Sequence, residues 1–174
     1  NILISGSPES DRIALMRCLV QYIPEHERII AFEKDGEAGL KTQYPHKAIV
    51  SFSLDNFDDA NEENHLVRLL KNTFKLLPDR IVVESIYYDA AATFLMHAMN
   101  TGHACIGTIH GWSLTNAIHH FVAMASNSDA QTPIEHIWEY VISNIDIAVH
   151  VRQLPDERRV VEEVAEGGDY QDGK

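Results

Sequence analysis

The chain has 174 residues, 45% of them apolar, which suffices for one domain around one core. Mean hydropathy is −0.19 and no apolar run reaches the roughly 18 residues of a membrane span. Acids outnumber bases 26 to 14, a formal charge of −12, which argues against gripping nucleic acid by its phosphates.

Asn1 is not a start methionine, and the chain opens at once on a strand pattern. A larger protein, cut at a domain boundary, is the expectation, and no charged-then-apolar leader points to export. Ile2–Ser5 reads as a buried strand, followed by a Gly-Ser-Pro loop and a helix, Asp11–Tyr22, with apolar residues at helical spacing. Arg28–Phe32 and Lys47–Leu54 read as strands, and the acidic run Asp55–Glu63 as a solvated linker. A helix, Leu66–Leu77, stops at Pro78. Ile81–Glu84 is a strand, Ala90–Met99 a helix, Cys105–Ile109 a strand, and Ser113–Ala125 and Ile134–Ile145 helices. Ile147–Leu154 and Arg159–Val164, joined by Pro155-Asp156-Glu157, read as a closing hairpin. Apolar strands separated by helices predict an α/β fold with a mostly parallel sheet covered on both faces. One domain is expected over 1–166, with a flexible, Gly-rich tail over 167–174. Cys18 and Cys105 form no CxxC and are expected as buried, reduced core residues.

Ligands of such sheets sit at the C-terminal strand ends, so the first loop carries most of the interest. A phosphate loop, G-x-x-x-x-G-K-[ST], wraps phosphates in flexible backbone, sets a lysine against their charge and offers a hydroxyl to Mg²⁺. Here the stretch reads Gly6-Ser7-Pro8-Glu9-Ser10-Asp11-Arg12-Ile13. Asp11 stands where the second glycine would be, Arg12 for the lysine and Ile13 for the hydroxyl. Pro8 deletes a backbone donor, Glu9 and Asp11 add negative charge, and Ile13 cannot ligate a metal. Gly6, Ser7, Ser10 and Arg12 are what remains to meet a phosphate, in a loop whose own charge is net negative.

Five segments together resemble the secretion-superfamily ATPases of type II and type IV systems, including Tad-pilus and Trb-type conjugation ATPases. "NILISG" is similar to the strand entering their Walker A loop, and "YIPEHERIIAFE" to the segment before their acidic box. "LLPDRIVVES" resembles their Walker B strand, "AMNTGHACIGTIHG" their His box, and "IDIAVHVRQLPDERRVVEEVAE" their closing hairpin. The resemblance covers nearly the whole chain and implies a RecA-like fold of the P-loop NTPase type. It implies that Glu33 and Glu37 stand at acidic-box positions, the candidates for catalytic carboxylates. It places Gly102, His103, Thr108 and His110 in the His box, and Ser85 at the position of the metal-associated glutamate. Glu84 is discounted as a substitute, because neighbouring strand side chains point to opposite faces. Ser51 and Asp55 fall where the family carries arginines, and Tyr87-Tyr88 where it carries Arg-Gly.

Phosphate, metal and charge-sensing positions thus depart from the family in four segments while packing signatures persist. The expected reading is a catalytically inactive subunit or regulator of a secretion, pilus or conjugation machine, with no cofactor and no structural metal. The resemblance implies a ring, usually hexameric, that meets inner-membrane components of the machine; a homo- or hetero-oligomeric ring is expected, in which a degenerate copy sits beside a paralogous active ATPase or caps it. It implies a cytoplasmic place, peripheral to the inner membrane, and direct nucleic-acid binding is not expected. Two alternatives stay open: an active ATPase using ATP and Mg²⁺ through non-standard ligands, and a protein-binding adaptor that reuses the fold. The ten histidines include His119-His120, which point about 100° apart on a helix and cannot chelate together. Tyr87, Tyr88 and Trp112 are read as filling a vacated cleft or forming a protein contact.

Overall fold

The computed structural model describes residues 1–34, 38–54, 60–128 and 132–170. Its strands are β1 (Ile2–Gly6), β2 (Arg28–Glu33), β3 (Ala48–Ser53), β4 (Arg80–Val83), β5 (Ala104–His110), β6 (Ile147–Gln153) and β7 (Arg159–Glu166). They form one sheet in the order β3-β2-β4-β5-β1-β6-β7. Every pairing is parallel except β6 with β7, the hairpin.

Runs of β-branched side chains without polar alternation need cover on both faces, and the sheet receives it. Leu3, Ile30, Phe32, Ile81 and Val83 face one core, packed by α3 (Ala60–Thr73), α4 (Asp89–Asn100), α5 (Leu114–Ser128) and α6 (Ile134–Asn144). Their neighbours Ile4, Ile29, Ala31 and Val82 face the other, under α1 (Arg12–Gln21) and the short α2 (Leu40–Gln43). Ile13, Met16 and Val20 are the buried stripe of α1, at the spacing of one helix face. Between the layers, Ser5 and His150 are both buried and satisfy each other, Oγ to Nδ1 at 2.7 Å, across β1 and β6.

The register does the positioning. Gly6 lies opposite His110 of β5 on one side and Val151 of β6 on the other. The first loop is therefore flanked by the end of β5 and by the hairpin.

Several expectations need correction. The acidic run over 55–63 is a linker at most in its first half, residues 55–59, which lie outside the described residues; the backbone is helical from Ala60. Alanine and glutamate are strong helix formers, and that propensity outweighs the charge. Cys18 is exposed on α1, because its position falls outside the Ile13–Met16–Val20 stripe, whereas Cys105 is buried, which pushes its thiol up to about 12. The tail is not free from 167 onward. Gly167–Tyr170 closes a 3-10 turn against α6, with the Glu166 N–H donating to Asp169 Oδ2 at 3.0 Å. Gly167 permits the approach: a Cβ there would lie 2.1 Å from the Ile145 carbonyl oxygen and 2.4 Å from that of Ile142. Only 171–174 of the expected tail fall outside the described residues. The hairpin is as expected but carries a bulge at His150/Val151.

Replacing Gly167 by Ala should push the turn off α6. We expect a loss of about 1–3 kcal/mol in urea unfolding, with new proteolytic cleavage confined to the C-terminal end; unaltered stability would contradict the packing described.

Candidate functional site

The loop after β1 is tied to itself. Ser7 is extended, Pro8–Ser10 make a 3-10 turn, and Asp11 takes the left-handed conformation, φ 56°. Ser10 donates twice to the Ser7 carbonyl oxygen, from its backbone N–H at 3.1 Å and its hydroxyl at 2.7 Å. Gly6 makes room for this fold-back, since a Cβ there would lie 2.2 Å from Ser10 Oγ. A glycine-like bend is thus present where a phosphate loop has its second glycine. Asp is among the few other residues that tolerate it, and it brings a carboxylate.

Arg12 turns inward, 5% exposed. Its Nη2 donates to His110 Nε2 at 2.8 Å and its Nη1 to the Ser7 carbonyl at 3.4 Å. His110 must present an unprotonated Nε2 to accept, and its surroundings favour that. Burial holds its pKa below the ordinary histidine range; Arg12, His120 and Lys34 push the same way and Glu9 opposes.

A cleft of about 240 Å³ opens here, lined by Arg12, Lys34, Glu84, Ser85, Tyr87 and His110, with Pro8 and Ile13. Glu84 belongs to it, contrary to the strand-alternation expectation. β4 ends at Val83, so the two-residue period no longer governs Glu84 and Ser85, and both reach the cleft. Glu84 is 1% exposed, and its Oε2 accepts the Lys34 N–H at 3.0 Å. Its carbonyl accepts the hydroxyl of buried Thr108, which fixes the β4 end to β5. Lys34 Nζ stands 4.6 Å over the Tyr87 ring.

The hairpin supplies a residue that sequence reasoning missed. Arg159 Nη1 lies 3.5 Å from Asp11 Oδ2, and its Nε donates to the Glu9 carbonyl at 3.5 Å. Both side chains are about half exposed, so the pair contributes at most about 1 kcal/mol. It does revise the charge balance: Arg12, Arg159 and Lys34 now face Glu9, Asp11 and Glu84, and the site is not net negative. The signal was the position of the hairpin next to the β1 strand, visible only once the sheet order is known.

Other expected site residues are elsewhere. Glu33 is buried and accepts the Ser51 hydroxyl at 2.6 Å, in a separate cleft of about 260 Å³ with Lys41 and Thr42. β2 is three strands from β1, about 14 Å across the sheet. Glu37 and Asp55 lie outside the described residues. Gly102 and His103 are at the opposite end of β5 from His110, about 20 Å away along seven residues. There they cap α4: Gly102, φ 86°, sends its N–H to the Met99 carbonyl and His103 its own to that of Ala98, both at 3.0 Å. This is a Schellman arrangement, and the His103 ring rests on Phe74 with centroids 4.9 Å apart. Tyr88 packs on the core, Tyr87 lines the Arg12 cleft from an exposed position, and Trp112 stands outside that cleft. Among the described residues no three His, Cys, Asp or Glu side chains are placed to hold a metal ion.

Comparison with known proteins agrees with this geometry. The family described as "Type II/IV secretion system protein" matches residues 1–162. "Probable conjugal transfer protein TrbB" of Sinorhizobium fredii is 33% identical over 165 residues, 92% of this chain and 46% of the relative. The type IV secretion system protein VirB11 of Bartonella quintana is 28% identical over 165 residues, 93% of this chain and 45% of the relative. The chain therefore spans about half the length of the curated relatives it matches. Among solved structures, the VirB11 ATPase of the Brucella suis type IV secretion system, in complex with sulphate, superposes with a TM-score of 0.80. It is 23% identical and covers 95% of this chain and 49% of its own. The Legionella pneumophila ATPase DotB gives 0.69 at 17% identity, over 95% of this chain and 45% of its own. These structures share the fold, a mostly parallel RecA-like sheet flanked by helices.

His110 gives the site a pH dependence whose sign is fixed. Its folded pKa lies below the unfolded value near 6.5, so the unfolded chain binds more protons between the two. Stability should rise with pH across that window and fall as pH drops through it. His110→Gln should flatten the slope in urea unfolding at graded pH. In Arg12→Gln the NMR midpoint of the ring should rise without reaching the ordinary value, because burial is the larger cause.

Proposed function

The chain belongs to the type II/IV secretion system protein family, and from that premise we propose that it is a non-hydrolysing motor-type domain of a secretion, pilus or conjugation machine. One observation carries the reading: the loop is closed on itself by its own hydrogen bonds. The Ser10 N–H, which an anion would need, is engaged by Ser7, and one N–H on each of the two Arg12 terminal nitrogens is turned to Ser7 and His110. A triphosphate would have to break these bonds while meeting Asp11 and Glu9, and Ile13 offers no oxygen to a magnesium ion. The residues present do not fit Mg-ATP. What remains useful is the fold as a scaffold: a subunit or cap in a ring, with a paralogous active ATPase and inner-membrane components as partners. Its place is then the cytoplasmic side of that membrane. Among the described residues no helix is long and apolar enough to cross one.

A second reading has one observation in its favour. Glu84, Lys34 and Arg12 line the same cleft, so a carboxylate and two cations are within reach of an anion there. An active ATPase with unorthodox ligands would use them. Calorimetry with Mg-ATP, paired with phosphate-release assays, separates the two. We expect neither binding in the micromolar range nor hydrolysis above background. We expect the triple substitution Asp11→Gly, Arg12→Lys, Ile13→Thr to gain binding. Micromolar affinity in the parent chain that disappears in Arg12→Ala would establish the active reading instead.

A further inference from the structure

A second concavity, of about 520 Å³, shares Pro8 and His110 with the Arg12 cleft and lies in the size range of ligand sites. Its other wall comes from the β5–α5 turn and α5: Trp112, Asn116, His119 and His120.

Three features define its chemistry. Its lining contains no carboxylate, in a chain with 26 acids to 14 bases, and the first turn of α5 beside it has no acidic residue either. The partial positive charge of a helix N-terminus therefore adds to imidazole donors instead of being neutralised. Second, Trp112 stands 84% exposed at the rim. Gly111 puts it there: a Cβ at that position would lie 2.7 Å from the Cβ of Ala117, so the chain hugs α5 and residue 112 is turned outward. The Trp112 N–H is anchored to Asn116 Oδ1 at 3.2 Å, so the indole projects from a fixed backbone. Trp is among the residues enriched at the energetic centres of protein interfaces. Third, the imidazoles are held in place though exposed to solvent. The His119 ring lies on Trp138 with centroids 4.7 Å apart, and His120 Nδ1 is 3.4 Å from the His110 carbonyl oxygen. His110 itself has its Nε2 engaged by Arg12 and serves as wall.

We propose that this concavity docks an acidic peptide segment of a partner protein, with carboxylates on the His119 and His120 imidazoles and an apolar neighbour against Trp112. The positive end of α5 and the imidazole donors, in a lining with no acid to oppose a carboxylate, select the occupant. The proposal does not rest on the nucleotide reading, because Trp112, His119 and His120 line none of the Arg12 cleft.

The test is fluorescence anisotropy with a labelled peptide in which glutamates flank a central phenylalanine, alongside its glutamine counterpart. The glutamate peptide should bind at least about tenfold tighter, and Trp112→Ala and the double change His119→Ala, His120→Ala should each weaken it by on the order of tenfold. All three side chains are exposed, so thermal midpoints should not move. Equal affinity for the two peptides, failure of the glutamate peptide to bind, or unchanged binding in both variants would each overturn the proposal. So would displacement of the peptide by Mg-ATP, which would reassign the concavity to nucleotide.

Discussion

A guanidinium taken out of water has to find acceptors, and Arg12 finds them in the Ser7 carbonyl and the His110 ring. That requirement organises the whole C-terminal edge of the sheet. It pulls the start of α1 over the loop, so the turn at Pro8–Ser10 stays closed on its own carbonyl. It needs an imidazole without a proton on Nε2, and burial of His110 supplies one. It also places a side-chain wall at Pro8 and His110, which divides the surface into two concavities of different chemistry.

The opposite end of the strands has a different character. Gly102 and His103 close a helix, and Arg80, the first residue of β4, forms a paired, hydrogen-bonded contact with Glu27, just ahead of β2, lowering the carboxyl's pKa and raising the guanidinium's. Motifs adjacent in sequence are thus split by function. In "NTGHACIGTIHG" the first half terminates a helix and the last residues face the loop, because the intervening strand carries the chain across the full height of the sheet.

The division explains what was readable beforehand. Buried strands and long amphipathic helices announce themselves by period, so the sheet, α1, α4, α5, α6 and the hairpin were legible in the amino-acid order alone. Glu84 was not, because its side-chain direction depends on where β4 stops, and a one-residue boundary reverses the answer. Arg159 was not, because its contact with Asp11 crosses about 150 residues and follows from strand order. The α2 turn gave no apolar period, and Cys18 was misplaced because polarity alone does not tell which helix face is outward. Trp112 was noticed for its chemistry, but only the crowding of Gly111 against Ala117 shows which way it points.

The bulge in the hairpin has a consequence of its own. Glu162 is its extra residue, opposite no residue of β6, and its carboxylate pairs with the Arg152 side chain. β7 is the outermost strand, most of its residues exposed, and it displays Glu162, Glu163 and Glu166 among its valines. Twisted and charged in this way, it is a poor template for pairing with another strand. Any contact on this side of the molecule is left to helices and loops, surfaces that can separate and re-engage without unzipping a backbone ladder.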